Sequence, residues 1–248
     1  MLIKANSKIN LSLDVIARHA NGYHEVRMVM QSLELCDDII IEKRDDGRIH
    51  LDPGADDIPA DSTNLAYKAF EIFAGHYGIR SGADIKIVKR IPMAAGMAGG
   101  SADAAAVLKG ANVLFDINAS NKQLCELGVR IGADVPFCIQ GGCAIAEGIG
   151  EKLTALPSMR CSNVLICKPD FGVSTGKVYD AYDKIEMRHV DTDGLISAIK
   201  CDNIASACGY MGNVLEDVTC NMHPVIEEIK QIMIENGAVA SLMTGSGP

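Results

Sequence analysis

A glycine-rich segment near the middle of the chain has the composition of a phosphate-binding turn. Its sequence, PMAAGMAGGSADAAA (residues 92–106), follows a predicted strand and leads into a predicted helix. The unpaired N–H groups and the dipole at a helix start attract anions. Gly96, Gly99 and Gly100 would let the backbone approach a ligand closely, and Ser101 offers a hydroxyl to a phosphate oxygen or Mg²⁺. A purely structural turn and helix cap would have the same composition, so this segment alone leaves both interpretations open.

The familiar phosphate-binding motifs do not describe this segment. No lysine follows the glycines as in G-x-x-x-x-G-K-[ST], and the spacing is not G-x-G-x-x-G. Further along, Asp170-Phe171-Gly172 imitates the metal motif of protein kinases, but no H-R-D-x-x-x-x-N loop or V-A-I-K strand precedes it. The sequence therefore indicates neither a P-loop protein, nor a Rossmann dinucleotide-binding domain, nor a protein kinase.

Composition and charge restrict the classes of partner. The 248 residues include 32 acidic and 23 basic side chains, a formal net charge of −9, whereas a nucleic-acid surface needs clustered Lys and Arg. The first 14 residues lack the apolar core of a signal peptide, and no run reaches the roughly 18 apolar residues of a membrane span. The nine cysteines are scattered, without a C-x-x-C pair, as in reduced proteins. We expect a cytoplasmic protein, monomeric or homodimeric, with a small-molecule substrate and without nucleic-acid or membrane partners.

The elements that would position the glycine segment form an α+β pattern. Strands are predicted at residues 1–13, 27–33, 38–43, 48–51, 83–91, 143–147, 163–168 and 240–243, and helices at 64–77, 100–115, 120–131, 175–183, 192–200, 205–213 and 224–236. The short early strands, with a turn at residues 21–22, favour an antiparallel sheet. Ser62 or Thr63 is expected to cap the first helix and Gly78 to end it. A domain boundary is placed near Leu156.

Three segments, in order, resemble motifs of the GHMP kinases, the family of galactokinase, homoserine kinase, mevalonate kinase and phosphomevalonate kinase. Residues 92–106 resemble the second motif, P-x-x-x-G-L-x-[SG]-S-[SA]. KANSKINLSL (residues 4–13) is similar to the N-terminal strand A-x-A-K-I-N-L-x-L, and MTGSGP (residues 243–248) is similar to the start of the third, glycine-rich motif. Three motifs in the family's order indicate it far more strongly than any one of them.

The resemblance implies a two-domain α+β fold with the active site in the cleft between the domains. Residues 1–156 would form an N-terminal domain like domain 2 of ribosomal protein S5, and residues 157–248 a smaller ferredoxin-like C-terminal domain. ATP and Mg²⁺ are the implied cofactors. The third motif breaks off at Pro248, so we expect the C-terminal domain to be truncated.

Within the family, the similarity is greatest to members that phosphorylate a cytidine diphosphate-linked methylerythritol. The segments responsible are KINL (residues 8–11), NGYHE (21–25), AGGSADAA (98–105) and IGADVPF (131–137). The implied reaction is ATP-dependent phosphorylation of the 2-hydroxyl of 4-diphosphocytidyl-2-C-methyl-D-erythritol, in the non-mevalonate pathway to isoprenoid precursors.

The resemblance gives catalytic roles to two residues. Asp134 would be the general base that takes the proton from the substrate hydroxyl. Lys8 would keep Asp134 ionised, lower the pKa of the substrate hydroxyl and screen charge on the transferred phosphoryl group. By themselves, Asp134 suits a turn or a helix cap and Lys8 a solvated strand lysine, so both roles rest on the resemblance.

The resemblance also implies which residues bind the ligands. The substrate-binding residues would be Asn10, Tyr23, His24, Thr175 and Tyr179. Asn10 shares a strand face with Lys8, while Tyr23 and Tyr179 would stack on the two faces of the cytosine and His24 would make a polar contact with it. The ATP-binding residues would be Pro92, Ala94, Ala95, Gly96, Met97, Ala98, Gly99, Gly100, Ser101, Ala102 and Asn64.

Small departures from the family pattern leave two alternatives open. Ser7 stands where the family has a small apolar residue, and Ala102 stands where this subgroup often has a second serine. The chain could be a GHMP kinase for homoserine, a mevalonate derivative or a sugar, although residues 21–25 argue against this. It could instead be a catalytically silent nucleotide or metabolite sensor, although such a protein has no need of both Lys8 and Asp134.

Overall fold

The structure, a computed structural model, describes residues 1–20, 22–159 and 163–248. The strands are β1 (Leu2–Arg18), β2 (His24–Arg44), β3 (Ile49–Asp52), β4 (Gly82–Val88), β5 (Cys143–Gly148), β6 (Lys152–Leu156) and β7 (Gly212–Asn213). The helices are α1 (Leu65–Tyr77), α2 (Gly99–Leu114), α3 (Asn121–Val129), α4 (Val135–Gln140), α5 (Thr175–Tyr182), α6 (Thr192–Lys200), α7 (Ile204–Tyr210), α8 (Glu216–Met222) and α9 (Val225–Glu235). The α+β class is confirmed. Asn21, in the predicted turn at residues 21–22, lies outside the described residues.

The chain forms two compact units that are interleaved in sequence. The first unit contains Met1–Lys8, Ser32–Pro92 and Ala98–Gly141, and the second contains Ile9–Gln31, Met93–Met97 and Gly142–Pro248. β1 and β2 are long enough to contribute residues to both units. The division into domains at residues 156 and 157 stays a prediction.

The sheet of the first unit is mixed. β2 pairs antiparallel with β4, from Asp38 opposite Val88 to Arg44 opposite Gly82. β3 pairs parallel with β4, so the prediction of an antiparallel sheet is wrong at this strand. The reason is the connection: α1 carries the chain back between β3 and β4, and such a crossover makes the two strands parallel.

The helices of the first unit begin and end at recognisable capping residues. The side chain of Asn64 caps α1 by accepting a hydrogen bond from the N–H of Ala66, so the prediction of a cap at residue 62 or 63 is wrong. Gly78 ends α1 in the left-handed conformation with φ of 66°, as predicted. Ser120 begins α3 through a capping box with Gln123.

The second unit has its own strand pairs and apolar core. β5 pairs antiparallel with β2 and with β6, and β7 pairs parallel with β1. A core cluster joins these strands to α6 and α7, and its buried members are Leu11, Val29, Cys143, Leu156, Leu195, Ile196, Ala198, Ile199 and Ala207. This packing explains why the sequence of α6 has apolar residues at the positions that face the core.

Several predicted elements differ from the structure. The strands predicted at 27–33 and 38–43 form one strand, β2, which continues through residues 34–37 and includes the fully buried Asp37. The strands predicted at 163–168 and 240–243 are wrong: neither segment is extended in a sheet, and Leu165 is 78% exposed. The sequence reasoning missed β6, β7, α4 and α8, which are too short to show a clear period.

The close packing of α2 on the sheet gives a test of the first unit. A Cβ at Gly110 would lie 2.6 Å from Ile3 Cδ1 and 2.9 Å from Ile41 Cγ2, whereas a Cβ at Gly75 in α1 would meet nothing within 4 Å. We expect Gly75→Ala to raise the free energy of unfolding by about 0.5–1 kcal/mol through helix propensity. Overpacking should outweigh that gain in Gly110→Ala and lower it by about 1 kcal/mol. Urea denaturation measures both, and a stabilised Gly110→Ala would contradict the packing.

Candidate active site

The two predicted catalytic residues meet within the first unit. Lys8 is only 4% exposed in β1, and its Nζ lies 3.8 Å from Oδ2 of Asp134. A buried ammonium is costly unless a carboxylate is near. Asp134 occupies the N-cap position of α4 but makes no capping hydrogen bond, and its side chain is 32% exposed. The carboxylate is thus held beside Lys8 and remains accessible to a ligand.

The start of α2 lies close to the turn that precedes Asp134. Ala98, the N-cap residue, has φ of 56°, and no side chain caps the helix. A Cβ on Gly132 would lie 3.9 Å from Ser101 Oγ. The first-turn N–H groups of α2 and the hydroxyl of Ser101 therefore lie in the same region as the Lys8–Asp134 pair. Such a helix start is a place where phosphates bind.

A buried ion cluster beneath α2 escaped the sequence reasoning. Lys89 Nζ lies 2.5 Å from Oδ2 of Asp37 and 2.9 Å from Oδ2 of Asp103. Asp37 also accepts a hydrogen bond of 2.8 Å from the N–H of Ile91. A Cβ at Gly99 would lie 3.5 Å from Lys89 Nζ, so the cluster supports the first turn of α2 directly. Asp37, Lys89 and Asp103 are far apart in sequence, so no local pattern indicated the cluster.

The cluster holds two carboxylates for one ammonium, and this sets their ionisation. Burial raises the pKa of Asp103 to about 7, although the adjacent Lys89 acts in the opposite direction. Burial also lowers the pKa of Lys89, but the charges of Asp103 and Asp37 outweigh it, so the net shift is upward. A proton on Asp103 would balance the charge of the cluster.

A cavity of about 760 Å³ in the first unit opens beside this cluster. Its lining residues are Asp52, Pro53, Gly54, Ala55, Asp56, Ile58, Ala60, Lys86, Ile87, Val88 and Lys89. The volume is in the range of small-ligand sites. Asn64 supports the cavity wall, because its Nδ2 donates a hydrogen bond of 2.9 Å to the carbonyl of Pro59. Contact between Asn64 and ATP stays a prediction.

In the second unit, the second and third motifs touch. Gly96 has φ of 63°, and a Cβ there would lie 2.0 Å from the carbonyl oxygen of Thr244. Asn10 joins the same contact, since its N–H donates to Thr244 Oγ1 at 2.9 Å and its Oδ1 accepts from the N–H of Gly245 at 3.2 Å. Asn10 therefore organises the backbone of the third motif, and its contact with substrate stays a prediction.

Two of the predicted base-binding residues, His24 and Tyr179, meet in the second unit. The rings of His24 and Tyr179 stack with centroids 4.6 Å apart and an interplanar angle of 28°. Tyr23 is 60% exposed. Thr175 begins α5, and its Oγ1 lies 2.9 Å from Oγ of Ser246. One ring face of Tyr179 is thus used by His24, while Tyr23 presents its ring to solvent.

The remaining predicted ATP residues divide by burial. Ala95, Met97 and Ala102 are buried, so they can offer a ligand little beyond their backbone. Pro92 is half-buried, and Ala94 has φ of 50°, a conformation that costs free energy in a non-glycine residue.

Within the described residues, no helix is long and apolar enough to cross a membrane.

Comparisons with known proteins place the chain in a family. The family model "GHMP kinases N terminal domain" matches residues 64–142, and "GHMP kinases C terminal" matches residues 197–248. Both domains of a GHMP kinase, a class of small-molecule kinases that use ATP, are therefore present. The "4-diphosphocytidyl-2-C-methyl-D-erythritol kinase" of Lachnospira eligens is 49% identical over 99% of this chain and 86% of its own length.

Two further comparisons agree. The protein of the same name from Acetivibrio thermocellus is 51% identical over 99% of this chain and 87% of its own length. A crystal structure of 4-(cytidine 5'-diphospho)-2C-methyl-D-erythritol kinase superposes with a TM-score of 0.80 at 30% identity, covering 100% of this chain and 88% of that one. The chain belongs to the 4-diphosphocytidyl-2-C-methyl-D-erythritol kinase family of the GHMP kinases.

The ion cluster predicts an unusual dependence of stability on pH. The folded state keeps a proton on Asp103 up to about pH 7, whereas the unfolded chain loses it near pH 4. The stabilisation from this proton is complete below about pH 4 and is lost as the pH rises to about 7. Asp103→Asn does not titrate, so its free energy of unfolding relative to the wild type should increase by about 4 kcal/mol between about pH 4 and about pH 8.

Urea denaturation across this pH range measures the difference. Asp116→Asn is the matched control, because Asp116 is exposed just after α2, and it should show no comparable trend. If the difference between Asp103→Asn and the wild type stays constant with pH, the proposed ionisation of the cluster is wrong.

Proposed function

We propose that this chain transfers the γ-phosphoryl group of ATP to the 2-hydroxyl of 4-diphosphocytidyl-2-C-methyl-D-erythritol, a step toward isoprenoid precursors. Family membership supports ATP-dependent phosphorylation of a small molecule, and the names of the relatives supply the substrate. The observation that carries the proposal is the accessible Asp134 carboxylate, held beside buried Lys8 and near Ser101 at the start of α2. The proposal includes a cytoplasmic protein that acts as a monomer or a homodimer.

Asp134 acts as the general base. Its carboxylate makes no capping hydrogen bond to α4. It can therefore accept the proton of a hydroxyl placed within hydrogen-bond distance. Removal of that proton makes the hydroxyl oxygen a better nucleophile toward the γ-phosphorus.

Lys8 supplies positive charge where negative charge develops. Its ammonium lies 3.8 Å from Asp134, and burial strengthens its field by excluding water. The same charge stabilises an alkoxide forming on the substrate. Lys8 therefore orients Asp134 and provides positive charge beside it, while Asp134 accepts the proton.

The start of α2 and the neighbouring cavity suit ATP. Uncapped N–H groups and the helix dipole favour the phosphates, and the cavity beside Lys89 has room for a nucleoside. Mg²⁺ would arrive with the phosphates, since it prefers few protein ligands and several phosphate and water oxygens. The Ser101 hydroxyl is a candidate protein ligand. When bound, the ion neutralises charge on the transferred phosphoryl group.

Substrate recognition is assigned to Tyr23, His24 and Tyr179, with Asn10 and Thr175 as further contacts. An exposed tyrosine ring and a stacked histidine whose side chain is 8% exposed provide the combination of ring stacking and polar contact that a nucleobase needs. These contacts use the part of the substrate that does not react, so they determine selectivity rather than chemistry.

The proposal is tested by measuring ADP release with ATP, Mg²⁺ and a panel of acceptors. The panel contains 4-diphosphocytidyl-2-C-methyl-D-erythritol, homoserine, mevalonate and galactose, together with a reaction without acceptor. We expect rapid release only with the cytidine substrate. Turnover of another acceptor would identify a different GHMP kinase activity, and release with none would support a nucleotide or metabolite sensor instead.

The base role predicts the effect of Asp134→Asn. The amide is nearly isosteric but cannot accept the proton, so kcat with the cytidine substrate should fall by roughly 10²- to 10⁴-fold. ATP affinity, measured by calorimetry, should change less than about threefold. Asp116→Asn is the matched control and should retain wild-type kcat. A folded Asp134→Asn enzyme with kcat within about threefold of wild type would rule out the base role.

A further inference from the structure

A second polar network lies behind the predicted base-binding residues, at the C-terminal end of α5. Nε2 of His24 lies 2.7 Å from Oδ1 of Asp183, and NH1 of Arg18 lies 3.0 Å from Oδ2 of the same carboxylate. One face of the His24 ring stacks on the ring of Tyr179. The His24 ring is therefore held on one edge by a carboxylate and on one face by an aromatic ring.

The contact with Asp183 determines where the imidazole carries its proton. An ionised carboxylate can only accept hydrogen bonds, so the proton of a neutral ring must lie on Nε2. The other nitrogen, Nδ1, then bears a lone pair and acts as an acceptor. A carboxylate behind a histidine commonly fixes the tautomer and ring orientation in this way.

Arg18 fixes the carboxylate in turn. Its guanidinium forms an ion pair with the second oxygen of Asp183, although that oxygen accepts no hydrogen bond within the described residues. Oδ1 is left to accept from His24, and the negative charge of the carboxylate faces two partners. The three residues come from the end of β1, the start of β2 and the C-cap of α5. Their meeting point is thus set by the fold of the second unit and not by a single loop.

We propose that Asp183, supported by Arg18, is a positioning residue that makes His24 select cytosine over uracil. The two bases differ at position 4, where cytosine has an amino donor and uracil a carbonyl acceptor. An acceptor at Nδ1 matches the amino group and leaves the carbonyl of uracil facing a lone pair. This assignment rests on the proposed function, and it extends that function to two residues that make no contact with the substrate themselves.

The test compares substrates and not only rates. The ratio of kcat/KM for 4-diphosphocytidyl-2-C-methyl-D-erythritol to that for its uridine counterpart is measured by ADP release, at one fixed pH for every variant. In Asp183→Asn the amide NH₂ can donate to Nε2, so the ring proton can move to Nδ1. We expect the ratio to fall about 10- to 100-fold, through a higher KM for the cytidine form and a lower KM for the uridine form, with kcat nearly unchanged.

Two more variants make the test specific. Asp180→Asn changes an exposed aspartate on the same helix and should keep the wild-type ratio. Arg18→Gln releases one side of the Asp183 carboxylate; because the Arg18 side chain is 53% exposed, this variant should fold even where Asp183→Asn does not. Its ratio should fall about 3- to 10-fold.

The outcomes separate this assignment from the proposed function. A wild-type enzyme that is selective for cytidine, with Asp183→Asn or Arg18→Gln less selective, supports the assignment. If the folded variants lose rate equally on both substrates and keep the ratio within about twofold, Asp183 has only a structural role and the assignment is overturned. If the wild type phosphorylates neither nucleotide-linked substrate, the proposed function fails, and this assignment fails with it.

Discussion

Buried lysine charge is the constraint around which the first unit is arranged. An ammonium inside a protein must be near carboxylates, and Lys8 and Lys89 are both largely withdrawn from water. Lys8 holds β1 to the turn before α4, and Lys89, directly after β4, holds the end of that strand to β2 and to α2 through Asp37 and Asp103. These pairings fix the start of α2 and the position of Asp134 in the same unit. Ion pairs with buried lysines therefore position both the phosphate-binding turn and the base.

The glycine-rich segment at residues 92–106 contributes residues to both units. Its glycines are needed for different physical reasons. At Gly96 the carbonyl of Thr244 approaches so closely that no Cβ fits, which explains a glycine by packing. At Gly99 and Gly100 the helix begins, and bare backbone leaves N–H groups accessible, which explains the glycines by ligand access. Ala98 adopts a left-handed conformation without being glycine, and its strain is the kind that binding sites often retain.

Much of this arrangement was predictable from the sequence, because local patterns report local structure. Alternation located β1, the helical period located α1 and α3, Gly78 correctly marked the end of α1, and the family motifs located Lys8 and Asp134. The Lys89 cluster was not found, because Asp37, Lys89 and Asp103 are far apart in sequence and only the fold brings them together. β2 was divided in two, because the polar residues between positions 33 and 38 resemble a connection between strands. The strand predicted at residues 240–243 failed because apolar alternation does not provide a neighbouring strand.

Lys8 and Asp134 act as one unit in the chemical step, and a double-mutant cycle on kcat tests this most directly. Lys8→Met, Asp134→Asn and the double variant are compared with the wild type, using the cytidine substrate at saturation. Because groups that act together are non-additive, the double variant should be no more than about tenfold slower than the slower single variant. If the two losses multiply, Lys8 and Asp134 act independently, and the account of the active site is contradicted.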